Sequence, residues 1–460
     1  MTSRYRVEYA LKSHRRDELI EWIKGLLAVP FVLHADVENY KVNREQFSTI
    51  EEYEEYCQSR ETEIADECRK RYLEIFGDVE LLIEHSRASD ESTIGLAKSR
   101  LQKMVPSVGK FFTSLPLKRA FLIEDSRRHI SSRRYVSPSF NDVRHILNAA
   151  QILVLADLYK ELDLTDTQLK LITFDGDVTL YEDGESLNSD SPITEKLIKL
   201  LSMGFFLGVV TAAGYPGQNG ASKYYERLKG LVDGIRTSKK LSDKQKQNLL
   251  VMGGESNYLF RYDSDLGNLK FIDGKEWYLP LMKSWDSETI SSIVDSIYYH
   301  LKHLQKKFNL EDKTIVIKKE RSIGIIPNEN QKILREQLEE MAVSCSARLE
   351  DLLHKLRNRN KGSDDDIKIC AFNGGSDVWV DIGDKSLGVE SLQRFLCKDL
   401  TYHHLCPILK HETLHIGDQF ASVGANDFRA RQSACTVWIA NPKETLAILD
   451  ELINHVEPST

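Results

Sequence analysis

Cysteine is scarce and shows no paired spacing, basic charge is not in excess, and no long uninterrupted apolar run occurs. The seven cysteines (Cys57, Cys68, Cys345, Cys370, Cys397, Cys406 and Cys435) are odd in number, scattered and without a Cys-x-x-Cys pair. That pattern excludes a disulfide framework or zinc ribbon and leaves reduced, buried thiols as the expectation. A formal net charge of −8, from 62 basic and 70 acidic side chains, removes bulk attraction to nucleic acid or acidic membranes. The first residues carry no apolar targeting core, and the run at 26–33 is short and broken by Pro30. No membrane partner, no nucleic acid and a cytoplasmic location are therefore expected. What is present is 460 residues, 41 % of them apolar, enough for about two to four domains with sizeable cores.

The apolar residues Leu19, Ile20, Ile23, Leu26 and Leu27 recur at helical spacing, and residues 43–76 form a long charged stretch of the same character. Residues 1–165 are thus expected to be a mainly helical region for regulation or subunit pairing. Within it lies a basic tract containing Lys118, Arg119, Arg127, Arg128, His129, Arg133, Arg134, Arg144 and His145. It is either a solvated face or a pocket where several cations converge on a polyphosphate. Further on, strand and helix alternate: a strand reaching Asp175, a turn at 181–184, a helix at 192–203 and a strand at 205–210. More strands are expected at 367–372, 413–416 and 436–439, with Asn441 capping a closing helix that starts at Pro442. This predicts an α/β chain whose parallel-sheet core comprises 166–213 and 366–460, with 214–365 inserted as an α+β cap. Four strand ends should share one edge, where open α/β sheets bind ligands.

The words at that edge carry chemistry. In Leu171-Ile-Thr-Phe-Asp-Gly-Asp-Val-Thr-Leu180, two carboxylates and a hydroxyl fall at alternate positions, which share a direction if the strand continues through them. Asp175 can then attack phosphorus while Asp177, past a permissive Gly176, protonates the leaving oxygen, and Thr179 orients a phosphate oxygen. Such transfer also needs Mg²⁺ and groups that hold the phosphoryl oxygens in line. Mg²⁺ prefers oxygen ligands, so Asp175, the backbone carbonyl of Asp177 and Asp418 are the candidate half-shell, with Asp427 steadying it from outside. Thr211 and Lys385 are the candidate phosphate hydroxyl and cation.

The order Asp-x-Asp-x-Thr, strand plus Thr, inserted region, Lys and then Gly-Asp resembles the haloacid dehalogenase-like superfamily. Longer words, Ile172-Thr-Phe-Asp-Gly-Asp-Val-Thr-Leu-Tyr181, Thr211-Ala-Ala-Gly-Tyr-Pro216, Phe372-Asn-Gly-Gly-Ser-Asp-Val-Trp-Val-Asp-Ile-Gly-Asp-Lys385 and Ile416-Gly-Asp418, with the opening Tyr5-Arg-Val-Glu-Tyr-Ala-Leu11, resemble the fungal IMP-specific 5'-nucleotidase family. The resemblance implies a Rossmann-like core under a cap and a Mg²⁺-dependent enzyme of purine nucleotide metabolism that releases inosine and phosphate from IMP. It further implies a homo-oligomer, a tetramer, activated by ATP. Carried over by position, Asp175 is the nucleophile, Asp177 the acid then base, Asp418 the metal ligand, and Lys385 and Thr211 phosphate binders. Asp183, Asp377 and Trp379 are the nucleoside contacts, since carboxylates accept from ribose hydroxyls and a purine stacks on indole. Arg128 and His145 are the candidates for ATP.

Two rival readings keep these residues. A phosphomutase or phosphotransferase resembling phosphomannomutase would pass the phosphoryl group to a sugar, and a silent nucleotide-sensing scaffold would use only the basic tract. The histidines His403, His404, His411 and His415 with Cys406 suggest zinc at first sight. Residues 410–416 must enter a strand, however, so they are expected to be structural. The diglycine in Met252-Gly-Gly-Glu-Ser-Asn-Tyr258 is expected to be a turn.

Overall fold

The computed structural model describes residues 17–34, 44–91, 98–160, 169–359, 367–397, 407–420 and 426–457. The opening words at Tyr5–Leu11, the linker at Gly362, and His403, His404 and Cys406 lie outside the described residues. The chain divides into two compact units, residues 1–161 and 162–460.

The described part of the first unit is helical, as expected: α1 (Glu18–His34), α2 (Ile50–Glu91), α3 (Leu117–Arg128) and α4 (Phe140–Lys160). Burial follows the sequence period, with Ile20, Ile23 and Leu27 of α1 inside. α1 packs on α2 and α4, and α3 packs on the same two helices. The basic tract is largely ion-paired within this unit. Arg127 and Arg128 both reach the buried Glu124, Arg119 reaches Asp157, and Arg133 grips Asp142. Arg128 ends α3, and His145 lies near the start of α4 with its Nε2 3.4 Å from Arg144 Nη2.

Among the described residues of the second unit, eleven strands form two sheets. The larger holds β1 (Leu171–Phe174), β2 (Phe206–Val210), β3 (Leu249–Gly253), β4 (Tyr258–Asp263), β5 (Asn268–Ile272), β10 (Thr413–Gly417) and β11 (Cys435–Trp438), in the order β11-β10-β1-β2-β3-β4-β5. From β11 to β3 the pairing is parallel, and β4 and β5 add as an antiparallel hairpin. β1, β2, β3 and β10 are buried throughout, the pattern of a parallel sheet covered on both faces. The helices α5 (Pro192–Ser202), α6 (Gly217–Thr237) and α10 (Pro442–Val456) pack in sequence, α6 on α5 and α5 on α10. Asn441 caps α10 through the Glu444 N–H, with Pro442 in the first turn, as its sequence predicts.

The smaller sheet is antiparallel, β6 (Thr314–Lys318), β7 (Ser322–Pro327), β9 (Val378–Ile382) and β8 (Ile369–Asn373) in that order. α7 (Ser287–Lys307) and α8 (Arg335–Arg359) pack on it. Two expectations need correction here. The strand expected at 367–372 belongs to this small sheet and not to the parallel core, because β8 pairs with β9 and β9 with β7. Conversely β3, β4 and β5, inside the expected insertion at 214–365, extend the large sheet. β9 then leads directly into α9 (Lys385–Leu396), so the small sheet delivers a cation to the edge of the large one. Cys397, after α9, is disulfide-bonded, contrary to the expectation of reduced thiols, whereas Cys57, Cys68, Cys345, Cys370 and Cys435 take part in no disulfide. Among the described residues no helix is long and apolar enough to cross a membrane.

Candidate active site

The strand β1 ends at Phe174, so Asp175 is the first residue beyond it, held by its N–H to the Ile416 carbonyl at 2.9 Å. The chain then turns. The sequence expectation that Asp175 and Asp177 share a direction by alternation along a strand does not hold, because the strand stops at Phe174 and a tight loop carries Asp177. Leu180 N–H returns to the Gly176 carbonyl, Val178 takes a left-handed φ of 60°, and Asp177 bridges to Tyr181. Gly176 is required here, because a Cβ would lie 2.6 Å from the Tyr181 hydroxyl. Thr445 of α10 pins the loop from behind, donating its hydroxyl to the Thr179 carbonyl at 2.8 Å.

A buried polar line starts at Asp175. Its Oδ2 meets Lys385 Nζ at 2.9 Å, Lys385 meets Asp427 Oδ1 at 2.5 Å, and Asp427 Oδ1 meets His415 Nε2 at 3.0 Å. His415 Nδ1 in turn lies 2.9 Å from the Thr173 hydroxyl on β1. Each residue has a structural reason to be there. Lys385 opens α9 just after Asp384, which caps the helix through the Leu387 N–H. Asp427 also accepts the Gln419 N–H at 2.9 Å. Burial pulls the His415 imidazole below its usual range, so it is neutral, donating from Nε2 to Asp427 and accepting the Thr173 hydroxyl. His415 is structural, as expected, and His411 sits in a short turn, Lys410–Glu412, outside any shared helix face.

Charge in this line is strongly coupled. Burial pushes the Asp175 carboxyl up to about 7, against the pull of Lys385. Burial opposes the Lys385 charge as well, but Asp175, Asp427 and Glu255 outweigh it and hold the ammonium above its ordinary value. Asp427 goes the other way: burial would raise it, yet Lys385 and His415 hold it well below the carboxylate range. Burial drives Asp418 well above that range, with Asp427 and Asp175 adding to the rise. Asp175, Asp418 and Asp427 offer oxygens within 4.8 Å of one another, and the buried Asp418 Oδ1 has no hydrogen-bond partner among the described residues. An orphaned carboxylate oxygen between two like charges fits a hard cation.

The remaining expected residues are placed as follows. Thr211 follows β2, buried, its N–H on the Met252 carbonyl and its hydroxyl accepting the Ala213 N–H at 3.2 Å. Thr179 is fully buried and its hydroxyl has no partner among the described residues. Asp177 accepts the Gly184 N–H at 3.2 Å and lies 3.9 Å from Arg227; burial raises its carboxyl. Asp183 is exposed on the 181–184 turn, and burial raises Asp377, with the neighbouring charges of Asp183 and Asp177 adding to it. Trp379 works partly against that rise in Asp377. Arg128 and His145 belong to the first unit.

Sequence reasoning missed Glu255, which the turn after β3 buries at 1 % exposure with a left-handed φ of 61°. Its N–H bonds to the Thr211 carbonyl, and Asn426 donates to its Oε1. A Gly-Gly-Glu word at the end of an apolar run was the available signal. Gly417 is a further hidden requirement, since a Cβ there would lie 2.3 Å from Asp427 Oδ2. Asp427 is held by three partners and cannot retreat. Gly417→Ala should therefore lower stability by about 1–3 kcal/mol and displace Asp427 from Lys385, cutting phosphatase turnover on the order of 10- to 100-fold. Thermal melting and phosphate release check the two effects separately.

Comparison with known proteins gives the family. The family model described as IMP-specific 5'-nucleotidase matches residues 1–449. The chain is 64 % identical to IMP-specific 5'-nucleotidase 1 of Debaryomyces hansenii, covering 99 % of both chains, and 45 % identical to that of Saccharomyces cerevisiae, covering 98 % of this chain and 99 % of the relative. Among solved structures, an aspartate-to-asparagine mutant of Plasmodium falciparum IMP-nucleotidase with IMP bound superposes at a TM-score of 0.70 and 31 % identity, over 90 % of this chain and 100 % of that one. The ATP-bound Plasmodium falciparum enzyme gives 0.73 and 30 %, over 99 % of this chain and 89 % of that one. The fold is thus the haloacid dehalogenase-like α/β fold that the motif order implies. On the family match and the near full-length identity, the chain belongs to the IMP-specific 5'-nucleotidase family.

Proposed function

We propose that this chain hydrolyses IMP to inosine and inorganic phosphate through a phosphoryl group carried on Asp175. The observation that carries the reading is the buried line Asp175–Lys385–Asp427 beyond β1, with Asp177 one residue past Gly176. Asp427, locked by His415 and the Gln419 N–H, fixes the ammonium of Lys385, which grips a phosphoryl oxygen. Thr211 orients a second oxygen, and Thr179 offers its unpartnered hydroxyl beside them. Asp175 attacks in line while Asp177, its carboxyl raised by burial, protonates the 5'-oxygen. Asp177 next deprotonates water, which attacks phosphorus and frees Asp175. Asp175, Asp418 and the backbone carbonyl of Asp177 are the residues that would hold Mg²⁺, backed by Asp427; the ion supplies neutralisation of the phosphoryl oxygens.

Trp379 offers the purine a stacking surface, and Asp183 and Asp377 offer acceptors to the nucleoside. An activating ATP is supported by the ATP-bound relative, and Arg128 and His145 are the residues proposed for it. Val29, Val32 and Leu33, all more than half exposed on one face of α1, support a homo-oligomer; that it is a tetramer rests on the family resemblance. Residues 1–165, the large sheet and the small sheet with its helices are assigned the roles of regulation, chemistry and substrate choice.

Phosphate release from IMP, GMP, AMP and mannose 6-phosphate, with and without ATP, tests the reading. Release that favours IMP and rises with ATP supports it; a sugar phosphate isomer without net release would mark a mutase. Chelation of divalent cations with excess EDTA should reduce turnover below detection, and Mg²⁺ added above the chelator should restore it. Full activity in EDTA would remove the metal from the scheme.

A further inference from the structure

We propose that Lys319 determines base specificity by donating to the adjacent O6 and N7 acceptors of a 6-oxopurine, so that IMP is preferred to AMP. This rests on the nucleotidase reading above. Lys319 follows β6 in the turn to β7, half-buried, and its Nζ sits 4.7 Å from the centre of the Trp379 ring and 5.9 Å from that of Tyr215. One N–H is spent on the Gly214 carbonyl at 3.0 Å, in the loop that follows β2 and Thr211. Among the described residues the ammonium makes no ion pair closer than 4.0 Å, which leaves donors free.

The indole beside it is fixed. Its ring lies so close to Gly324 that a Cβ there would come within 2.4 Å of a ring carbon. A purine brought to Trp379 therefore meets the Lys319 ammonium at its edge or displaces it from the ring. An ammonium has three donors and no acceptor. A 6-oxopurine presents O6 and N7 side by side as acceptors, whereas a 6-aminopurine presents a donor in place of O6. Burial works against the charge of Lys319 while Asp381 and Asp377 sustain it. A lysine held there at a desolvation cost, with donors to spare, suits an acceptor supplied by the ligand. The bland alternative is a brace tying the β6–β7 turn to the Gly214 loop.

Lys319→Met keeps the aliphatic stem and removes every donor; Lys319→Arg keeps a fork that also matches O6 and N7. Steady-state kcat/KM is measured for IMP, AMP and the base-free ribose 5-phosphate with Mg²⁺ present. For Lys319→Met the IMP-to-AMP ratio should fall about 10- to 100-fold, most of it through KM for IMP, and Lys319→Arg should recover most of the loss. An equal fall on all three substrates would make Lys319 a brace only, and an unchanged ratio would also overturn the assignment. A parent enzyme with no preference for IMP over AMP would overturn the IMP-specific reading itself, and one that releases phosphate from neither would overturn the nucleotidase reading; both outcomes are visible before any variant is made.

Discussion

Asp175→Asn should abolish phosphate release, by about 10⁴- to 10⁶-fold as when other covalent nucleophiles are removed, while leaving a cooperatively folded protein. The two halves of this expectation have different causes. Chemistry fails because an amide oxygen is a poor nucleophile and no second carboxylate can replace it: Asp427 is occupied by Lys385, His415 and the Gln419 N–H, and Asp177 is needed as the acid. The fold survives because the substitution preserves volume, the backbone N–H still bonds to Ile416, and Lys385 keeps Asp427 as its counter-charge. Phosphate release under saturating Mg²⁺, with circular dichroism through a thermal melt, separates the two. A variant that retains activity would remove Asp175 from the role given to it.

Lys385→Met should be lost on both counts. Lys385 is fully buried between two carboxylates, and removing one partner of a buried ion pair costs about 3–5 kcal/mol because the other is left unpaired. Turnover should fall on the order of 10³-fold or more, as when a charge-stabilising donor is deleted from an active site. Adding Asp427→Asn removes one stranded charge, so the double variant should regain part of the stability and none of the activity. Urea denaturation and phosphate release distinguish these outcomes. A single variant as stable as its parent would show that the buried line is not what holds this edge together.

Much of the site was legible because its parts are short and local. Leu171–Phe174 is a buried run followed at once by Asp-Gly-Asp, and Asn441 with Pro442 marks a helix start by chemistry alone. The sheet to which a strand belongs is not local. Ile369–Asn373 reads the same whether it pairs with β9 or with a parallel core strand, since only the partner differs. Leu249–Gly253 lay at the end of a helical pattern, and five apolar residues do not separate strand from helix. His415 looked like one of several clustered histidines, and its link to Asp427 depends on a contact across twelve residues of chain. Lys319 was invisible for the same reason, since Trp379 comes from a distant segment, and Glu255 showed only as a Gly-Gly-Glu word whose neighbour Thr211 lies far along the chain.

The most direct measurement is to follow the phosphoryl group itself. Enzyme turning over [³²P]IMP is quenched in acid within milliseconds, reduced with borohydride, which converts an aspartyl-phosphate to homoserine, and mapped by peptide mass spectrometry. The expected result is transient label on the protein and homoserine at position 175 alone. Inosine and phosphate formed at full rate with no labelled protein, or with the modification at another carboxylate, would contradict the role assigned to Asp175.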